Sequence, residues 1–190
     1  IQCSNCRFIF CDKIPTLEEL VSHYKTYPRH DGISPITIKR YRELAESFST
    51  YRKQGNWIDV GCGNGHLLAV AAEYQWNTYG TEFTDDAVEI CRKKNINMHQ
   101  GVLNPQDYEP ASFDVITFIE VLEHINNPRE ELKKFHSLLR EGGALYITTP
   151  NFNSLSRRML KEKWNIIEYP EHLSYYTPQT IHKLLTESGF

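Results

Sequence analysis

Asp59-Val60-Gly61-Cys62-Gly63-Asn64-Gly65 sets three glycines at alternate positions directly after a short apolar run, Trp57 to Val60. Glycine reaches positive φ and carries no Cβ, so a ligand can lie against the bare backbone. Seventeen residues beyond Gly65, the run Thr78 to Glu82 ends on a carboxylate. A carboxylate there can accept from both hydroxyls of a ribose, as in nucleoside-binding sheets. The turn and Glu82 together point to an adenosine-like cofactor. His66 stands where a dinucleotide fingerprint needs a third small residue, which counts against a bound pyrophosphate.

Two histidines could move a proton: His124, in Glu120-x-x-Glu123-His124, and His172, in Pro170-Glu171-His172-Leu173. Each reads equally well as a histidine bonded to a loop backbone. Cys3-x-x-Cys6 has the spacing of a zinc-ribbon knuckle, but a closed site needs four ligands and Cys11 supplies at most a third. Cys62 falls inside the glycine turn, where a small residue is wanted. Cys91 follows Ala87 by four positions on the buried face of a helix and reads as core.

The elements that must position these groups follow from periodicity. Thr16-Leu17-Glu18-Glu19 is a capping box, opening a helix through Leu20, Val21 and Tyr24. Pro28, Gly32 and Pro35 break it, and a second helical stretch runs from about Ile36 to Arg52. From Asn56 onward short apolar runs alternate with amphipathic stretches. Strands are expected at 57–60, 78–82, 97–101, 113–119 and 144–149. Helices are expected at 67–74, after Thr84 with Asp85 and Asp86 in the first turn, after Asn127-Pro128 until Gly142-Gly143, and from Thr177-Pro178 to Gly189. Such alternation predicts an open, mostly parallel α/β sheet with helices on both faces and a helical cap at the N-terminus.

Composition agrees with a globular domain. With 190 residues, 40% hydrophobic and 24% charged, the chain is neither a membrane protein, a disordered segment nor a fibre. A net charge of −3 gives no electrostatic reason to expect nucleic acid or an anionic membrane as partner. Five cysteines, an odd and modest number, fit a reducing cytoplasm.

The run Ile58 to Gly65, with its Gly61-x-Gly63-x-Gly65 spacing, resembles the first motif of class I S-adenosylmethionine (SAM) dependent methyltransferases. Gly80-Thr81-Glu82 is similar to the second motif. Phe113 to Ile116 with Glu120 to Ile125 resembles the fourth-strand region, and Leu139 to Asn151 the fifth. Pro170 to Leu173 and the segment Leu184 to Phe190 look like the small-molecule branch that includes quinone and sugar methyltransferases. The likeness covers about residues 56–190, in the family's order, and implies a Rossmann-like fold.

By that resemblance Gly61, Gly63 and Gly65 hold the methionine part of SAM, and Asp59 orients the turn or meets the amino group. Glu82 takes the ribose hydroxyls, Phe83 flanks the adenine and Ile119 lies beneath the cofactor. Val102 stands where many relatives carry an acid, so adenine recognition is expected to rest on backbone groups. His124 and His172 are the catalytic candidates, and quinone O-methyltransferases suggest instead a divalent cation on Glu120, Glu123 and His124. Trp164, Tyr169, Tyr175 and Tyr176 either line an acceptor lid or pack a loop onto the sheet. Arg157, Arg158, Lys161 and Lys163 either attract an anionic substrate or form a solvated face.

The expected organisation is a partial zinc-ribbon-like segment over 1–12 with zinc on Cys3 and Cys6, a helical cap over 13–55 and a SAM-binding domain over 56–190. The family sheet normally adds two strands after the last helix, and a complete ribbon adds a second knuckle, so the sequence reads as a fragment. The function expected is cytoplasmic methyl transfer from SAM to a small-molecule acceptor, a sugar or quinone-like ring. An NAD-dependent oxidoreductase and a non-catalytic binding module on the same fold are the alternatives.

Overall fold

The computed structural model describes residues 1–16, 18–19 and 32–190. In chain order the strands are β1 (Ile9–Phe10), β2 (Asn56–Val60), β3 (Asn77–Glu82), β4 (Asn97–Gln100), β5 (Phe113–Ile119), β6 (Leu139–Thr148) and β7 (Ser174–Tyr175). The α-helices are α1 (Pro35–Phe48), α2 (His66–Glu73), α3 (Asp85–Lys93), α4 (Pro128–Leu138), α5 (Leu155–Leu160) and α6 (Pro178–Glu187). The chain divides into two compact units that are not collinear with the sequence. One comprises Pro28–Ile119 and Lys134–Ile147, the other Ile1–Tyr27, Glu120–Lys133 and Thr148–Phe190.

The first unit is built on a five-stranded sheet of order β4-β3-β2-β5-β6. β2 pairs in parallel with β3 and with β5, and β3 in parallel with β4. The chain winds outward from β2 through α2, β3, α3 and β4, then returns to the other side of β2 as β5. The topological switch point therefore lies between β2 and β5, where ligands bind in open α/β sheets. β2 and β5 are near-continuous apolar runs because both their faces are covered. Trp57, Ile58, Val115 and Ile116 are fully buried. Against them pack Ala45 and Phe48 of α1 and Leu67, Leu68 and Ala71 of α2. Phe48 meets the Trp57 ring edge-on at 5.0 Å, and Trp57 meets Trp76 at 5.5 Å.

At the amino end of β5 the buried Asp114 carboxylate closes the sheet. Its Oδ2 accepts from the amides of Lys53 (2.9 Å), Gln54 (2.8 Å) and Gly55 (2.6 Å), and its Oδ1 pairs with Arg140. Burial alone would raise this carboxyl, but those amides and the guanidinium outweigh it and hold the pKa below the usual carboxylate range.

The second unit is tied by β1 and β7, an antiparallel pair with Ile9 opposite Tyr175 and Phe10 opposite Ser174. The Cys11 amide donates to Leu173 O at 2.8 Å, and the Leu173 amide to Glu123 O at 2.8 Å. α6 begins with a capping box between Thr177 and Thr180. It ends in a Schellman turn, with Phe190 N bonded to Leu185 O and Gly189 N to Thr186 O.

Two local expectations change. Gly142-Gly143 does not end α4, which stops at Leu138; β6 runs through both glycines. Gly143 is there for a close approach, since a Cβ on it would come within 2.9 Å of Asp114 O. Thr84 precedes α3 without capping it, because its hydroxyl donates to Glu82 instead. The Thr16–Glu19 capping box is present in both directions, at 2.8 and 3.2 Å, while the expected positions Leu20, Val21 and Tyr24 lie outside the described residues.

Candidate functional site

All the cofactor-binding candidates lie in the sheet unit. Gly61 and Cys62 each donate a backbone N–H to Thr81 O at 3.0 Å, which holds the turn leaving β2 against β3. Gly65 (φ +67°) is the N-cap of α2 in the left-handed region. A Cβ there would lie 2.6 Å from Ile96 Cδ1 and 2.7 Å from Cys91 Sγ, so this glycine is demanded by packing. Gly63 (φ +52°) differs, because a Cβ on it would meet nothing within 4 Å. Of these two glycines, Gly63 is the one that offers bare backbone to a ligand.

Glu82 ends β3 half-buried and firmly held. Its Oε1 accepts from Phe83 N (2.9 Å), Thr84 N (3.2 Å) and Thr84 Oγ1 (3.1 Å), and its Oε2 from Gly63 N (3.2 Å). An ionised carboxylate offers about four lone-pair sites, so Oε2 keeps capacity for a further donor. Phe83 is 52% exposed and Val102 57%, at the carboxyl ends of neighbouring strands, and Ile119 ends β5 half-buried. These apolar side chains can wall a planar base. Val102, which departs from the family's acid, thus supplies apolar surface.

Asp59 is buried on β2. The Thr117 hydroxyl donates to its Oδ1 at 2.6 Å and itself accepts from Trp57 Nε1 at 3.0 Å. Burial pushes the Asp59 carboxyl up to about 7; the Thr117 hydrogen bond opposes this and the Glu82 charge adds to it. A buried acid poised there would be drawn back to its anion by a ligand ammonium. Thr117 escaped the sequence reading, although a polar residue inside the apolar run Phe113–Ile119 was the available signal.

The remaining candidates lie in the second unit. His124 Nδ1 donates to Glu171 O at 2.9 Å and His172 Nδ1 to Ile166 O at 2.6 Å. A carbonyl only accepts, so a neutral His172 ring carries its lone pair on Nε2, whereas the His124 ring is bonded by the backbone of both Glu171 and Glu120. The rings meet edge-on with centroids 4.8 Å apart. Burial, followed by the His172 charge, lowers the His124 pKa to about 4. Glu123 is buried, and its Oε2 accepts from the Thr149 hydroxyl at 2.9 Å. Burial raises its pKa above the usual carboxylate value.

Candidate ligand atoms of Glu123, His124 and His172 lie within 4.8 Å of one another. Among the described residues they are the one set of three or more His, Cys, Asp or Glu side chains so placed. Of the expected set Glu120, Glu123 and His124, the structure brings Glu123 and His124 together with His172. Glu120 turns the chain at φ +52°. One carboxylate and two imidazoles suit a divalent transition ion better than magnesium.

Of the four aromatics, Trp164, Tyr175 and Tyr176 are buried and only Tyr169 is exposed, so packing accounts for three. Arg157 stacks over the Phe152 ring at 4.5 Å, while Arg158, Lys161 and Lys163 are exposed. At the N-terminus the amides of Cys6 and Asn5 bond the Cys3 thiol and lower its pKa. The Cys11 thiol donates to His172 O at 3.4 Å, and among the described residues Cys3, Cys6 and Cys11 belong to no group of three candidate ligands.

A parallel sheet with a glycine turn at its switch point, facing a fixed acid on the next strand, defines a Rossmann-like α/β protein. More particularly, the chain belongs to the methyltransferase domain family, whose model matches residues 36–190. It is 28% identical over 134 residues to a ubiquinone biosynthesis O-methyltransferase of Idiomarina loihiensis, covering 66% of this chain and 52% of that protein. It is 33% identical over 127 residues to the mitochondrial ubiquinone biosynthesis O-methyltransferase of Saccharomyces cerevisiae, covering 60% and 41%. The chain thus spans about half the length of these relatives. A SAM-dependent methyltransferase from Archaeoglobus fulgidus shares the fold with a TM-score of 0.68 at 22% identity, covering 84% of this chain and 70% of that one. An S-adenosylmethionine-dependent methyltransferase from Mesorhizobium loti does so at 0.57 and 16%, covering 76% and 79%. No helix among the described residues is long and apolar enough to cross a membrane.

Proposed function

We propose that this protein transfers a methyl group from SAM to a small-molecule acceptor with a quinone-like ring. Membership of the methyltransferase domain family and the names of its relatives support the reaction class. One observation carries the cofactor: Glu82 is held by four donors, one of them the amide of Gly63, whose own Cα faces open space. Glu82 Oε2 accepts from a ribose hydroxyl, and the backbone of Gly61 and Gly63 bears the methionine part. Phe83, Val102 and Ile119 wall the adenine, and Asp59 takes the ammonium. Gly65 shapes the turn.

Bound there, SAM supplies a sulfonium methyl for in-line displacement. Alignment of two bound reactants contributes about 7–11 kcal/mol, whereas a general base contributes about 10²–10⁴-fold. Positioning by the sheet unit therefore dominates. One of the two histidines, His124 or His172, receives the acceptor's proton. A second reading is favoured by their convergence with Glu123: the three side chains would hold a divalent cation, which would supply Lewis-acid activation of the acceptor. Cys3 and Cys6 supply two thiolates toward a tetrahedral zinc site. Five free cysteines fit the cytoplasm.

Transfer of labelled methyl from SAM to a panel of dihydroxylated aromatic rings and sugars tests this reading. Label in the ring compounds is expected. Label in neither class, with SAM bound, contradicts it.

A further inference from the structure

Three sulfur atoms from three elements of the sheet unit converge under the glycine turn. Cys62 Sγ lies 4.0 Å from Cys91 Sγ, on α3, and 3.9 Å from Met98 Sδ, on β4. Cys91 is 0% exposed, and the other two are half-buried. Missing side chains make the room for them. A Cβ on Gly80 would stand 2.8 Å from both Cys62 Sγ and Met98 Sδ, and one on Gly65 2.7 Å from Cys91 Sγ. Nothing in the proposed methyl transfer uses these atoms.

We propose that Cys62, Cys91 and Met98 form a site for a soft monovalent cation, copper(I) or silver(I). Sulfurs 3.9–4.0 Å apart are bridged by an ion about 2.3 Å from each, the ordinary metal–thiolate length. A disulfide would instead require the two Sγ atoms to close to about 2.05 Å, dragging the turn toward α3. Two thiolates and a thioether select a soft d¹⁰ ion, and the set holds no imidazole or carboxylate to favour zinc. On binding, each metal–thiolate bond replaces an S–H bond, the proton leaves to solvent and no oxidation state changes. The thiols then give up their contacts to Gly63 O, at 3.3 Å from Cys91 and 3.7 Å from Cys62.

The test uses the full chain carrying Cys3→Ser, Cys6→Ser and Cys11→Ser, so that only the thiols of Cys62 and Cys91 remain. It is titrated anaerobically with copper(I) against bicinchoninate, following the thiolate-to-copper charge-transfer absorption. One equivalent is expected to bind. Met98→Leu, close in volume, should weaken binding by about 10-fold or more, and Cys91→Ala should remove it. Circular dichroism checks each fold, and Cys62→Ser stands in if Cys91→Ala does not fold. No uptake against the competitor, or uptake that Met98→Leu and either cysteine variant leave unchanged, overturns the proposal.

Discussion

The amide of Gly63 donates to Glu82 Oε2 at 3.2 Å, tying the crown of the glycine turn to the end of the neighbouring strand. The carboxylate is thereby oriented before any ligand arrives, which reduces the ordering that binding must impose. This contact also separates two glycines that the motif makes look equivalent.

Gly65→Ala forces a Cβ to within 2.7 Å of Cys91 Sγ and 2.6 Å of Ile96 Cδ1 at positive φ. It is expected to cost about 2–4 kcal/mol, read as a lower melting temperature. Gly63→Ala meets open space and carries only the strain of a left-handed residue, about 1 kcal/mol. It should lower SAM affinity more than it lowers stability. Equal losses of stability in the two variants would contradict the assignment.

Asp59, raised to about 7 by burial, keeps a proton that the unfolded chain has lost from about pH 4 upward. Its contribution to stability is full below about pH 4, declines as pH rises and is gone above about 7. Asp59→Asn removes the titration while keeping an acceptor for Thr117. Its stability relative to wild type should therefore rise between pH 4 and 7 by a few kcal/mol, on the order that the shift implies, and then level off. Denaturant melts at pH 4, 5.5, 7 and 8 measure this, and a gap independent of pH would refute it.

Asp114→Ala strands Arg140 and leaves three amides without their acceptor. A loss of about 3–5 kcal/mol is expected, the scale for breaking a buried pair. In wild type the stabilisation exists above the unfolded pKa and is lost as pH falls through the lowered folded value. A variant that melts within about 1 kcal/mol of wild type would show that the ion pair matters little.

Titration with manganese(II), followed by calorimetry, examines the three-residue cluster. One site is expected, weakened about 10–100-fold or more by Glu123→Gln and by His172→Ala. Binding unchanged in both would return His124 and His172 to the proton-transfer role alone.

Much of this architecture is legible in the chain because local patterns carry it. Phe113–Ile119 stands out as a strand since a doubly covered strand is near-continuously apolar, and Glu82 since it closes the next strand segment after the glycine turn. Gly142-Gly143 misleads because glycine after a helix ordinarily marks its end, whereas here Gly143 serves the approach to Asp114. His172 joins Glu123 and His124 through loop backbone bonds such as Leu173 N to Glu123 O, which leave no periodic trace. The sulfur cluster is hidden for the same reason: Cys62, Cys91 and Met98 sit on separate elements. The buried Trp164, Tyr175 and Tyr176 show the limit of composition, since aromatics that suit a lid also suit a core.

The central claim is that Glu82 receives the ribose of SAM. Calorimetric titration of wild type and Glu82→Ala with SAM, and of wild type with NAD, tests it most directly. Wild type is expected to bind SAM and not NAD, and Glu82→Ala, with a charge-assisted hydrogen bond to the ribose lost, to bind SAM about 10-fold or more weakly. SAM affinity unchanged in a folded Glu82→Ala, or binding of NAD in preference to SAM, would contradict it.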